Sequence, residues 1–331
     1  MSSRNILLLL LAACSSAPAI DLPGGSPGIG FDDLRFSARL HRVLVPGGRS
    51  GNLVLIDPSS RAITTIGGFS TTKSFSSADH DFGVTSVDDL GSLLAVTDRT
   101  SGRISLVDID RAVIAADAAL GSTPDYVRWV AATSELWVTE PGREAIEVFS
   151  VTLAPPAVRP SGQIAVPGGP ESLVVDQAHG RAFTHLWDGG TVAVDVRTRT
   201  VGPRWSNGCN DSRGIAIDEA HGLVFAGCAE GRVTALDAAD GHKVGEIWEV
   251  DGVDVIDFSP SRRHLYAPGQ ISANTAIIGV SISGELGLLA KEDGTLYGHC
   301  VTTDDAGQAF VCDPRDGALL VIHDRFDTIT R

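Results

Sequence analysis

From about Asp33 onward the apolar residues come in short runs, rich in valine, isoleucine and leucine, with glycine, aspartate, proline and serine between them. Runs such as Leu53-Val54-Leu55-Ile56 and Ile104-Ser105-Leu106-Val107 suit strands and are too short for helices. Leu34, Phe36, Ala38 and Leu40 alternate with polar neighbours, as in a strand with one buried face. No stretch carries a sustained helical stripe. The 37 glycines and 16 prolines agree, because both residues interrupt helices and mark turns.

The runs also repeat. Leu173-Val174-Val175-Asp176-Gln177-Ala178-His179-Gly180 is matched 42 residues later by Ile215-Ala216-Ile217-Asp218-Glu219-Ala220-His221-Gly222. Thr191-Val192-Ala193-Val194-Asp195 and Val233-Thr234-Ala235-Leu236-Asp237 stand at the same interval of 42. A four-strand unit of this length cannot hide its apolar faces alone, so copies set side by side predict a β-propeller. The register gives an all-β, seven-bladed β-propeller of four-stranded antiparallel blades over residues 31–331. Its units lie near 33–69, 84–120, 124–167, 170–205, 212–250, 253–292 and 299–331. The edges of the first and last units leave six or eight open; seven fits best.

Prolines at Pro124 and Pro170, an apolar strand ending near Asp, a turn, a second strand and then Val-x-Val-Asp make a pattern that resembles the YVTN-type propellers. That group includes YncE-like periplasmic proteins and the propeller subunits of amine dehydrogenases. The resemblance covers essentially all of residues 33–331 and implies a fold rather than a chemistry. A WD40 assignment fits less well, since Trp187-Asp188 is the only such dipeptide.

The start of the chain reads as an address. Arg4, the apolar run Ile6 to Leu11 and Leu11-Ala12-Ala13-Cys14 resemble a bacterial lipoprotein signal peptide over residues 1–14, with Cys14 as the lipidation site. The run is well short of the ~20 residues that span a bilayer. An ordinary signal peptide with an incidental cysteine is the plainer alternative. Residues 15–30, rich in Ser, Pro and Gly, read as a flexible tether of ~20 Å reach. Their Gly24-Gly25-Ser26-Pro27-Gly28-Ile29-Gly30 follows no strand and opens no helix, so it is no phosphate loop. Ser15 after the cysteine implies, by the enterobacterial sorting pattern, the outer membrane, facing periplasm or cell surface.

Four further cysteines test the register. Cys209 and Cys300 each precede an innermost strand, and Cys228 and Cys312 each end the next one, so antiparallel pairing predicts two disulfides. Export makes these chemically reasonable, and each would stabilise by ~3 kcal/mol. A four-thiolate metal site is the sharper alternative, but the pairs fall in units five and seven, and the spacing is unlike a zinc ribbon.

Short catalytic motifs are absent: no His-Glu-x-x-His, Gly-x-Ser-x-Gly, Walker loop or Cys-x-x-Cys-His. A propeller site would instead be assembled at a channel mouth from several blades. In the predicted register His80, Asp81, Asp125, Tyr126, Glu171, Asp211, Arg213, Asp254 and His299 surround one mouth, joined by Glu140, His185, Trp187 and Asp188 from second-strand exits. Such a rim could be merely hydrated, or could bind a ligand or a divalent cation. His179 and His221 occupy equivalent turn positions and read as turn residues.

The formal net charge of -15 disfavours nucleic acid and anionic lipid as partners, leaving the lipid anchor as the membrane contact. The leading expectation is a non-enzymatic, envelope-anchored scaffold for a protein or glycan, with no cofactor. The alternative is a lactonase-like hydrolase holding Ca²⁺ or Zn²⁺ on Asp81, Glu171, Asp211 and Asp254, with His185 or His299 moving protons. A propeller subunit beside a quinone-bearing redox partner is a third expectation, implied only by the resemblance.

Overall fold

A computed structural model describes residues 18–77 and 80–328. Cys14 therefore lies outside the described residues. Seven antiparallel sheets make up the fold, six of four strands and one of three. Their innermost strands are Arg35–Ser37, Val84–Asp89, Val127–Val130, Pro170–Asp176, Ser212–Asp218, Asp257–Ser259 and Val301–Thr303. Each of these touches the next, and the last touches the first, so the sheets are the blades of a closed ring. The structure is a seven-bladed β-propeller. Blade 4 has a reduced outer edge, where the bridges Thr191 to Trp205 and Val194 to Val201 stand in for a regular fourth strand.

Adjacent apolar residues in one strand serve different interfaces, which explains the unbroken runs. Side chains alternate across a strand, and both faces of a blade are covered. Thus Ala182 packs toward blade 3 while Phe183 packs toward blade 5; Leu265 faces blade 5 and Tyr266 faces blade 7. Seven apolar clusters fill the seven gaps between blades. Burying one such large side chain contributes roughly 1.5–3 kcal/mol.

The repeat has a local cause too. In the turn after the innermost strand, the Asp176 carboxylate accepts from the His179 amide at 3.0 Å, and Asp218 accepts from His221 at 3.3 Å. Gly180 and Gly222 close these turns at φ of 67° and 64°, a conformation that a side chain would strain. The two histidines are turn residues.

The flexible-tether reading of residues 15–30 needs correction over its described part. Ala19–Asp21 is a strand, and it pairs antiparallel with Ala318–His323 as the outermost strand of blade 7. Ile20, Leu22, Ile29 and Phe31 are buried between blades 7 and 1. The segment was read as loose because a three-residue strand shows no period. Here it joins the chain's two ends and closes the ring.

Both disulfides form as the register predicted. Cys209 is bonded to Cys228 and Cys300 to Cys312, with Cα separations of 5.2 and 5.5 Å. They sit in blades 5 and 7, which do not touch.

Candidate functional site

The innermost strands all run the same way, so the channel has an upper mouth, where they start, and a lower mouth, where they end. The loops between blades and the loops after the second strands both lie on the upper face.

At the upper mouth the charges are paired across blades. Arg99, in the loop after the second strand of blade 2, reaches Asp32 at 2.8 Å and Asp125 at 2.6 Å. It also donates to the carbonyl oxygens of His80 and Pro124 at 2.9 and 2.8 Å. Arg213 bridges Glu171 and Asp211 at 3.1 and 3.0 Å. Asp32 and Arg99 escaped the sequence reading: Asp32 lies outside the repeat, and Arg99 is one of many strand-end arginines. The Arg99 contact with Asp32 is an ion pair rather than a directed hydrogen bond, because Asp32 Oδ2 has no bonded donor.

Carboxylates outnumber guanidiniums in this buried cluster. Burial, then Asp254 and Asp33, hold the Asp32 carboxyl up at about 7 against the pull of Arg99. Burial and Asp32 raise Asp125 in the same way. Glu171 is pushed up to about 9 by burial and then by Asp125 and Asp254, despite Arg213. His80 goes the other way, down to about 3, through burial and the nearby Arg99 and His299.

Between these pairs lies a cavity of about 200 Å³ bordered by His80, Arg213, Asp254, Gln270 and His299. The rings of His80 and His299 are 5.4 Å apart. His299 is fixed by the carbonyl oxygens of Phe31 at 2.9 Å and Tyr297 at 2.7 Å, whereas His80 Nδ1 is buried without a partner. Asp81 stands on the exposed rim.

Four residues expected at this mouth lie elsewhere. His185 is fully buried between blades 4 and 5, bound to Thr191 Oγ1 at 2.8 Å and facing the Phe225 carbonyl oxygen. Burial lowers it to about 4, and it has no path to move protons at the channel. Side chains alternate along a strand, so His185, two positions after Phe183, faces blade 5 as Phe183 does. Glu140 is buried toward the rim, accepting from the Ser122 amide and from Arg143. Asp188 pairs with Arg204 on the outer rim, and Trp187 is exposed there.

The upper face also carries exposed apolar side chains, of which the sequence singled out Trp187 alone. Phe82, Trp187, Ile271, Leu296 and Tyr297 are exposed, Ile271 to 68%. All five sit on upper-face loops of blades 2, 4, 6 and 7. Tyr297 is tied to the Ile271 loop by a hydrogen bond from its amide to the Gln270 oxygen at 2.9 Å.

No protein-family model matches the chain, and no curated protein matches it. Solved structures do. A chain of the mitotic checkpoint complex is 17% identical at a TM-score of 0.73, covering 97% of this chain and 99% of that one. The Kuenenia stuttgartiensis hydrazine synthase is 12% identical at 0.71, covering 96% and 99%. The β-propeller domain of Cps50 (Swd1) from Myceliophteria thermophila is 11% identical at 0.70, covering 90% and 98%. At such identities the likeness shows the fold alone.

Proposed function

We propose that this chain is an envelope-anchored, non-enzymatic scaffold of the YVTN type, which binds a protein partner on its upper face. The exposed Phe82, Trp187, Ile271, Leu296 and Tyr297 carry this reading. Large apolar and aromatic side chains grouped on one face and set about a charged centre are what protein interfaces use as anchors. The acidic mouth between them suits a basic side chain of the partner, which would relieve the crowding of Asp32, Asp125, Glu171 and Asp254.

The anchor fits the fold as well. Cys14 precedes Ala19 by five positions, which is at most ~18 Å of extended chain. A lipid on Cys14 would hold the disc by its rim, close to the membrane, with its flat faces free. Radiolabelled palmitate tests the anchor: it should label the wild-type chain in cells and not the Cys14→Ala variant. Affinity capture from native envelopes tests the scaffold. One partner should be retained by wild type and lost with Ile271→Asp or Asp254→Lys; equal recovery with all three would count against it.

The metal-hydrolase alternative has weaker support. Among the described residues, the three-residue sets with donor atoms within 4.8 Å of one another are His299, Cys300 and Cys312, and Asp237, Asp240 and His242. The first contains a disulfide, the second is on an outer turn, and neither gathers Asp81, Glu171, Asp211 and Asp254. Metal analysis of purified protein decides between the two readings: stoichiometric Ca²⁺ or Zn²⁺ would favour the hydrolase.

A further inference from the structure

We infer a second ligand site at the lower mouth of the channel, built for a neutral sugar ring. Two adjoining spaces lie there, an outer one of about 390 Å³ and a less open one of about 180 Å³. Arg35 and Arg128 border both. The outer volume alone falls in the range of small-ligand clefts, about 300–1,000 Å³.

Three observations fix the ligand's chemistry. First, Arg35 presents a part-exposed guanidinium to both spaces, tied to Asp88 by a long contact of 3.4 Å, so its N–H donors can meet a ligand oxygen. An ammonium or guanidinium ligand has no acceptor to offer them. Second, five carboxylates border the two spaces (Asp33, Asp88, Asp89, Asp257 and Glu219) against the three arginines Arg35, Arg39 and Arg128. That surplus of negative charge repels an anionic ligand. A neutral molecule whose hydroxyls both accept and donate meets both conditions. Third, the walls are divided. Phe36 and Trp129 border the outer space, while Val174, Ile215, Ile217 and Ile256 border the less open one, opposite the arginines of blades 1 and 3. A pyranose has the same division, with C–H faces and a hydroxyl edge.

The site is distinct from the upper-mouth cavity, since the two have no bordering residue in common. The test is calorimetric titration of the full chain with glucose, galactose, maltotriose and cellotriose, beside glucuronate and glucosamine as charged comparators. At least one neutral sugar should bind saturably, and its charged analogue at least about tenfold more weakly. Arg35→Met should weaken that binding by about tenfold or more, as should Ala38→Trp, which narrows the rim from an exposed position. Asp254→Lys, at the other mouth, should leave it unchanged, so failure of the protein-docking reading would not imitate failure here. Saturable binding of none of the four neutral sugars, tighter binding of a charged comparator, or indifference to both lower-mouth variants would overturn the assignment.

Discussion

Arg128 of blade 3 holds both carboxylate oxygens of Asp33, at 2.6 and 2.8 Å, and so ties blade 3 to the segment leading into blade 1. Both side chains are almost fully buried. Ser86 of blade 2 lies between, donating to Asp33 at 2.5 Å and accepting from the Val127 amide at 2.9 Å. A hydrogen-bonded ion pair therefore ties three consecutive blades together on the channel side, beside the lower recess.

Removing one member of this pair leaves the other charged and buried. Arg128→Met and Asp33→Ala should each cost about 3–5 kcal/mol, and the double variant should cost less than the two together. Denaturant midpoints of the four chains measure this. Additive losses would mean that the two residues act independently.

The upper mouth should give a pH signature through Glu171. Its carboxyl titrates near 4.5 in an unfolded chain and is raised to about 9 in the fold. Between those values the unfolded chain has released a proton that the folded chain retains, so this group lowers stability as pH rises through that window. Glu171→Gln does not titrate. Its melting temperature relative to wild type should therefore climb from about pH 5 to about pH 9. A difference that stays flat or falls would contradict the placement of this carboxyl among Asp125 and Asp254.

Ring closure depends on the first described residues. Phe31 is fully buried between blades 7 and 1, so Phe31→Ala should cost about 3–5 kcal/mol. A chain shortened to start at Asp33 also loses the Ala19–Asp21 strand and should melt at a much lower temperature, with a broadened transition. Unchanged melting of the shortened chain would restore the tether reading.

The blade repeat was legible because it is enforced locally. Asp176 with His179 and Asp218 with His221 make the same turn, and the same alternation then feeds two interfaces in every blade. The cysteine pairing followed from that register. The upper mouth was legible only in part. Asp125, Glu171, Arg213, Asp254 and His299 lie at or just before the starts of innermost strands, and those starts face the mouth. Asp32 and Arg99 lie outside the repeating positions and meet only because the ring closes. His185 lies off the mouth because it shares the face of Phe183, two positions before it, and that face packs on blade 5. The exposed apolar residues of the upper face belong to loops of differing length, which no period aligns.

Site-specific photo-crosslinking bears most directly on the claim that the upper face is a docking surface. A photoreactive residue is placed at Ile271, at the lower-face Ile282 or at the outer-strand Val113, all three exposed. Each probed chain is irradiated in native envelopes. A discrete adduct from position 271 alone, abolished by Asp254→Lys, is the expected result. Adducts of equal yield from all three positions, or an adduct at 271 indifferent to Asp254→Lys, would contradict it.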